Sequence, residues 1–270
     1  MSVILQPQIK SLILDMDGVI WKADAPIGDL HAIFKHIQAI GLKVAFATNN
    51  GTLTPEQYVE RLAKLGVNVD PWQVVTSALG VAELLLKEFP RGTRVFAIGG
   101  PGVMAALQER NFELLSIDEV RDGGPHKAQA VVMGIDAQIN FEKMREATLL
   151  VRSGVPFYAT NPDKTFPTPR GEIPGAGAWI SVIVTATGVP PIYAGKPEPY
   201  LLELARTRLR TTKEQTLVVG DRLETDIAGG QAAGMPTALV LSGVSTSEQA
   251  KNWMPKVTLV VEDLSALLQI

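Results

Sequence analysis

Short apolar runs that do not alternate with polar residues recur along this chain, and most close on a polar turn. They cover residues 11–16 (SLILDM), 43–48 (KVAFAT), 93–98, 128–133, 156–159, 216–219 and 237–241. A strand with one wet face alternates, whereas these are apolar on both faces. That pattern suits a parallel sheet covered by helices on each side. Segments with helical spacing lie between the runs. Residues 29–40 carry apolar side chains at 30, 33, 34, 37 and 40. Residues 55–65 start on a proline, which suits a first helical turn. Residues 176–189 read as a buried helix stopped by Pro190 and Pro191. Alternating strands and helices of this kind predict an α/β fold.

The chain has 270 residues, enough for one or two domains. Breaks at Pro90–Arg91–Gly92 and across 187–194 mark off the middle of the chain. The expected organisation is a core built from 1–79 and 190–270, with a second α/β module, 80–189, inserted into it. No cysteine is present, which excludes disulfides, thiolate metal sites and a cysteine nucleophile. The net charge of −3 argues against a protein that chiefly neutralises nucleic acid or lipid phosphate. The opening MSVILQPQIK has no basic start and only a four-residue apolar run, and no run elsewhere is long enough to span a bilayer. The expectation is a cytoplasmic protein. With 28 acids against three histidines (His31, His36, His126), carboxylate chemistry is the more available kind.

Four segments place chemistry at loop or strand ends. Asp15-Met16-Asp17-Gly18 ends the first run, where open parallel sheets bind ligands. Two acids there need a cation, a proton or a turn that separates them; a turn with solvated acids would satisfy the same residues. Thr48-Asn49-Asn50-Gly51 offers a hydroxyl, amides and backbone N–H groups to an anion, or is a plain Asn-Gly turn. In Gly195-Lys196-Pro197 an ammonium stands at a loop–helix junction, where it could hold phosphate, balance acids or remain exposed. Gly220-Asp221-Arg222-Leu223-Glu224-Thr225-Asp226 follows the 216–219 run, and its acids suit a hard cation or a helix cap. A fifth segment, Gly100-Pro101-Gly102-Val103-Met104-Ala105, mimics a dinucleotide fingerprint, but Pro101 lacks a donor that a pyrophosphate would use.

The order DxDG, TNN, GKP, GDxxxTD resembles the four motifs of the haloacid dehalogenase-like (HAD) phosphohydrolases. DMDGVIW, ATNNG, TNPD, PGAG and GKPEP resemble its NagD-like, or p-nitrophenyl phosphatase, branch. The resemblance implies a Rossmann-like parallel-sheet core and an inserted C2a cap, and with them a phosphatase for small phosphorylated metabolites and aryl esters such as p-nitrophenyl phosphate. It implies Asp15 as the nucleophile that becomes an aspartyl-phosphate, and Asp17 as general acid and then base. Mg²⁺ would be held by Asp15, the Asp17 carbonyl and Asp221, with Asp226 in support. Thr48, the Asn49 backbone and Lys196 would hold the phosphate. Asn50, Asn161, Asp163 and Phe166 are the candidates for choosing the leaving group, through a cap that closes over the site. Trp21 faces an entrance or simply packs. The expected partner is a small phosphorylated substrate, with no nucleic acid and no membrane; a homo-oligomer through the cap is left open. The other readings are a phosphometabolite sensor without turnover, and a phosphotransferase or phosphonatase on the same core.

Overall fold

Leu12, Ile13 and Leu14 are wholly buried, as a strand covered on both faces requires. Each such side chain contributes roughly 1.5–3 kcal/mol relative to exposure. They belong to the strand Ser11–Leu14, the centre of a six-stranded sheet in the computed structural model. The structure describes residues 5–23, 25–123, 127–168 and 170–270, so His126 lies outside the described residues. The chain divides into two compact units. One comprises Met1–Thr48, Pro55–Val75 and Lys196–Ile270; the other comprises Asn49–Thr54 and Thr76–Gly195.

In the first unit the strand order is Leu259–Val261, Thr237–Val240, Thr216–Gly220, Ser11–Leu14, Lys43–Thr48, Val74–Thr76. Ser11–Leu14 pairs in parallel with Thr216–Val219 on one side and with Lys43–Phe46 on the other. The chain therefore steps one way after Ser11–Leu14 and the opposite way after Thr216–Gly220. This leaves a gap beyond the carboxyl ends of these two neighbours. The helix Leu30–Ala39 starts where the Asp29 carboxylate accepts from Ala32 N at 3.0 Å. It buries Leu30, Ile33 and Ile37. Ile40, expected on the same face, is 49 % exposed because it follows the last turn, beside Gly41 at φ +72°.

The second unit carries its own five-stranded parallel sheet. Its order is Ile192–Tyr193, Phe157–Ala159, Ala130–Met133, Arg94–Ile98, Glu113–Leu114. Phe96, Val131, Met133, Leu150, Phe157 and Ile180 share one core cluster. A hairpin pairs Thr165–Thr168 with Gly171–Pro174. The helix expected to be buried runs from Ala176 to Thr187 and is covered on one face only. Ala176, Ile180 and Ile183 pack inward, whereas Val182 is 46 % exposed. Its continuous apolar run had hidden that asymmetry. The glycine at 102 has a packing reason: a Cβ there would fall 2.4 Å from the Gly51 carbonyl oxygen. No described helix is long and apolar enough to cross a membrane.

Candidate active site

Asp15 directly follows the Ser11–Leu14 strand, and Asp221 directly follows Thr216–Gly220. The two acids thus stand at neighbouring strand ends beside the gap. Asp226 joins them from Leu223–Ile227, a single π-helical turn. There the Arg222 carbonyl accepts from both Asp226 N (3.1 Å) and Ile227 N (3.2 Å), which widens the turn. Asp226 folds back tightly under the strand end: a Cβ on Gly220 would lie 2.2 Å from its Cβ. Carboxylate oxygens of Asp15, Asp221 and Asp226 lie within 4.8 Å of one another.

Lys196 is buried among them. Its Nζ donates to Asp15 Oδ1 at 2.7 Å, Asp226 Oδ1 at 2.5 Å and the Ala47 carbonyl at 2.7 Å. An ammonium has three N–H donors, and all three are engaged. Lys196 therefore fixes the orientation of two acids. Burial alone would lower its pKa, but Asp15 and Asp226 reverse that and push it up.

Burial also holds the Asp15 carboxyl well above the ordinary range. Lys196 opposes the rise, while the charges of Asp226 and Asp221 add to it. Burial, and then Asp226, push Asp221 up to about 7. Asp221 Oδ2 accepts from Val244 N at 2.8 Å, whereas its Oδ1 is buried with no hydrogen-bond partner. Three clustered carboxylates, one ammonium and an unsatisfied buried oxygen leave positive charge wanting. A hard divalent cation, which takes oxygen ligands, fits this donor set.

Asp17 lies two residues beyond Asp15, past the end of the strand. Its Oδ1 accepts from Trp21 Nε1 at 2.9 Å. Burial raises its carboxyl, and the Trp21 hydrogen bond and the Arg61 and Arg222 charges work against that rise. Thr48 ends the Lys43–Thr48 strand and is buried. It is a hydrogen-bond partner of the buried Tyr58.

Asn49 is next in the chain and belongs to the second unit. Its carbonyl accepts from Ser77 Oγ and from Asn161 Nδ2, the latter at 2.7 Å. Its Nδ2 donates to Asp163 Oδ1 at 3.1 Å, and Asp163 N donates to Asn161 Oδ1 at 3.1 Å. Asn49, Asn161 and Asp163 thus form one network, with Asn161 buried. Asn50 Oδ1 instead bonds Thr52, accepting from its N (3.1 Å) and its Oγ1 (2.7 Å). Phe166 sits on the hairpin opposite Ile173, half-buried.

Sequence reasoning passed over Ser242 and Gly243. Ser242 Oγ donates to the Gly18 carbonyl at 2.7 Å, and a Cβ on Gly243 would fall 2.0 Å from Asp221 Oδ2. The signal was present, since a Ser-Gly pair closes another strand at the same sheet edge.

Residues 12–113 match the model of a haloacid dehalogenase-like hydrolase family, and residues 193–267 match a second HAD-hydrolase-like model. An acid sugar phosphatase of Staphylococcus aureus is 36 % identical over 258 residues, 96 % of each chain. A glycerol phosphate phosphatase from Mycobacterium tuberculosis, solved with magnesium, superposes with a TM-score of 0.89 at 33 % identity; the match covers 99 % of this chain and 78 % of that one. NagD from E. coli K-12 superposes at 0.85 with 29 % identity, covering 95 % and 97 %.

Proposed function

Because the chain belongs to the haloacid dehalogenase-like hydrolases, as a phosphatase of their NagD-like branch, we propose that it hydrolyses small phosphate monoesters through an aspartyl-phosphate on Asp15, with Mg²⁺ as cofactor. The observation that carries this reading is the convergence of Asp15, Asp221, Asp226 and Lys196 at adjacent strand ends, with Asp17 just beyond.

Asp15 is the nucleophile. Its Oδ1 is held by Lys196, so the carboxylate cannot turn freely and its other oxygen is left to attack phosphorus. As the oxygen–phosphorus bond forms, the bond to the leaving oxygen breaks, and Asp17 gives that oxygen its proton. Asp17 then takes a proton from water, which attacks phosphorus and frees Asp15 and inorganic phosphate. This divides one hard displacement into two easier ones, with one carboxyl serving as acid and then base. Asp15, the Asp17 carbonyl and Asp221 would hold Mg²⁺, and Asp226 would support them through Lys196 and the Arg222 amide. The ion would supply the positive charge that lets a carboxylate approach an anionic ester. Thr48, the Asn49 backbone and Lys196 would bind the phosphate oxygens. Asn161 and Asp163 bond Asn49 and would shape their loop. Asn50, turned to Thr52, would do the same. Phe166 stands with Asn50, Asn161 and Asp163 as a proposed leaving-group contact.

Phosphate release should be measured over sugar phosphates, glycerol phosphate, phosphoglycolate, pyridoxal phosphate, nucleotides and p-nitrophenyl phosphate, with magnesium and with EDTA. We expect release from at least one class, loss with EDTA, and a fall of at least about 10³-fold on Asp15→Asn with the native circular dichroism retained. A wild-type-like rate in Asp15→Asn would sink the nucleophile, and no release from any ester would sink the reading.

A further inference from the structure

Trp21 has no exposed surface, yet it lies on a two-residue strand, Trp21–Lys22, outside the main sheet. Packing would ask only for an apolar ring. The structure instead ties the ring to Asp17 directly and fixes the loop that joins them. The indole N–H donates to Asp17 Oδ1 at 2.9 Å. The backbone closes the same loop, with Gly18 N donating to the Trp21 carbonyl at 2.7 Å and Trp21 N to the Met16 carbonyl at 3.2 Å. Gly18, at φ +82°, makes that reversal possible. Over the ring lies Arg61, its guanidinium carbon 4.0 Å from the centroid. Arg61 is itself anchored by an N–H bond to the Ala23 carbonyl at 2.8 Å. A cation on the ring face and a carboxylate at the ring edge match the two poles of an aromatic quadrupole.

An indole nitrogen can only donate. The Asp17 oxygen that faces Trp21 must therefore remain an acceptor whether or not the carboxyl carries a proton. The torsion that turns an aspartate carboxyl is broad and nearly two-fold, so without such a partner its two oxygens exchange places readily. We propose that Trp21, braced by Arg61, is a positioning residue that holds the Asp17 carboxyl in one orientation and reserves Oδ2 as the oxygen that exchanges protons with the substrate. The inference rests on the reading of Asp17 as acid and base.

The test is a leaving-group series on Trp21→Phe, which keeps a ring under Arg61 and removes only the donor and part of the area. Esters of a strongly acidic phenol, such as 2,4-dinitrophenyl phosphate, depart without help. Esters of alcohols, such as glycerol phosphate, need their leaving oxygen protonated. General acid–base assistance contributes about 10²–10⁴-fold, and a loosened acid forfeits part of it. We expect kcat/KM, which reports the step that expels the leaving group, to fall roughly ten- to a hundred-fold for the alkyl ester and to stay within about two-fold for the dinitrophenyl ester; the later hydrolysis of the aspartyl-phosphate, common to all esters, enters kcat alone. Should Trp21→Phe fold poorly, replacing Trp21 with benzothienylalanine preserves the shape and deletes the N–H, and the same split is expected. An equal loss of kcat/KM across all esters, or no loss, would overturn the positioning role. Absence of turnover in the wild type would instead overturn the phosphatase reading, so the two failures are distinguishable.

Discussion

At Lys196 three acceptors converge on one buried ammonium, and two of them are carboxylates. Taking two acids and a lysine out of water is costly, and only their mutual contacts offset it. Lys196→Met fills the same space but leaves Asp15 and Asp226 facing each other without a cation. Breaking one partner out of a buried pair costs about 3–5 kcal/mol, so the metal-free variant should unfold well before the wild type at pH 8. The pH dependence follows from Asp15, whose carboxyl already sits above its ordinary range. A folded-state acid with a raised pKa stabilises the protein least at high pH, where the unfolded chain has lost a proton that the folded chain would keep. As pH falls toward 5 the folded variant takes up that proton, and the deficit should shrink. Urea melts of both proteins in EDTA at pH 5 and pH 8 measure it; an equal deficit at both would mean that lost packing, not bare charge, is the cause. Trp21 belongs to the same scale and was the hardest residue to read. Its tie to Asp17 depends on a turn at Gly18 and on a guanidinium from a distant helix, and neither is a spacing that a sequence displays.

The elements that matter here are turns after strands rather than strands themselves. Each candidate acid of the first unit follows an apolar run or lies in the turn beyond it, so their positions could be read from hydrophobic patterning alone. What patterning does not reveal is how closely these turns approach. Gly18 stands at φ +82°, and a Cβ there would lie 2.4 Å from Asp221 Oδ2. Gly41 has a similar φ of +72° with nothing within 4 Å. The pair separates two costs. Alanine at either position bears the left-handed backbone penalty, roughly 1–2 kcal/mol. Only Gly18→Ala must also displace a carboxylate of the candidate cation site. We expect Gly41→Ala to keep its activity and melt a few degrees lower, and Gly18→Ala to lose at least about 100-fold in kcat, since small displacements in a catalytic constellation have that effect. Equal activity in the two variants would mean that the Asp221 side of the site can yield without consequence. The π-helical turn at Leu223–Ile227 was equally illegible, because its residues would also suit an ordinary helix start capped by Thr225 or Asp226.

Across the whole molecule the α/β character was legible, since strands apolar on both faces alternate along the chain with segments of helical spacing. The partition of the chain was less so. Residues 49–54 belong to the second unit although they lie between two first-unit segments, and the Gly51 carbonyl packed against Gly102 shows why. Contacts between residues that far apart leave no periodicity. Charge, by contrast, is fully given by composition. With 25 basic and 28 acidic residues the net charge is −3, so the molecule as a whole does not attract a phosphate dianion. On the proposed reading attraction is local, from Lys196 and a bound cation, in a buried setting where salt screens little. That reading sets the chain apart from enzymes that steer anions with a basic surface. Raising the ionic strength from about 20 mM to about 200 mM shortens the Debye length from roughly 20 Å to roughly 7 Å. Weak long-range repulsion would be screened while the local contacts persist. At saturating magnesium, kcat/KM for an anionic ester should therefore rise by no more than a few-fold or stay level. A tenfold fall would mean that a basic surface patch, masked in the net charge, gathers the substrate.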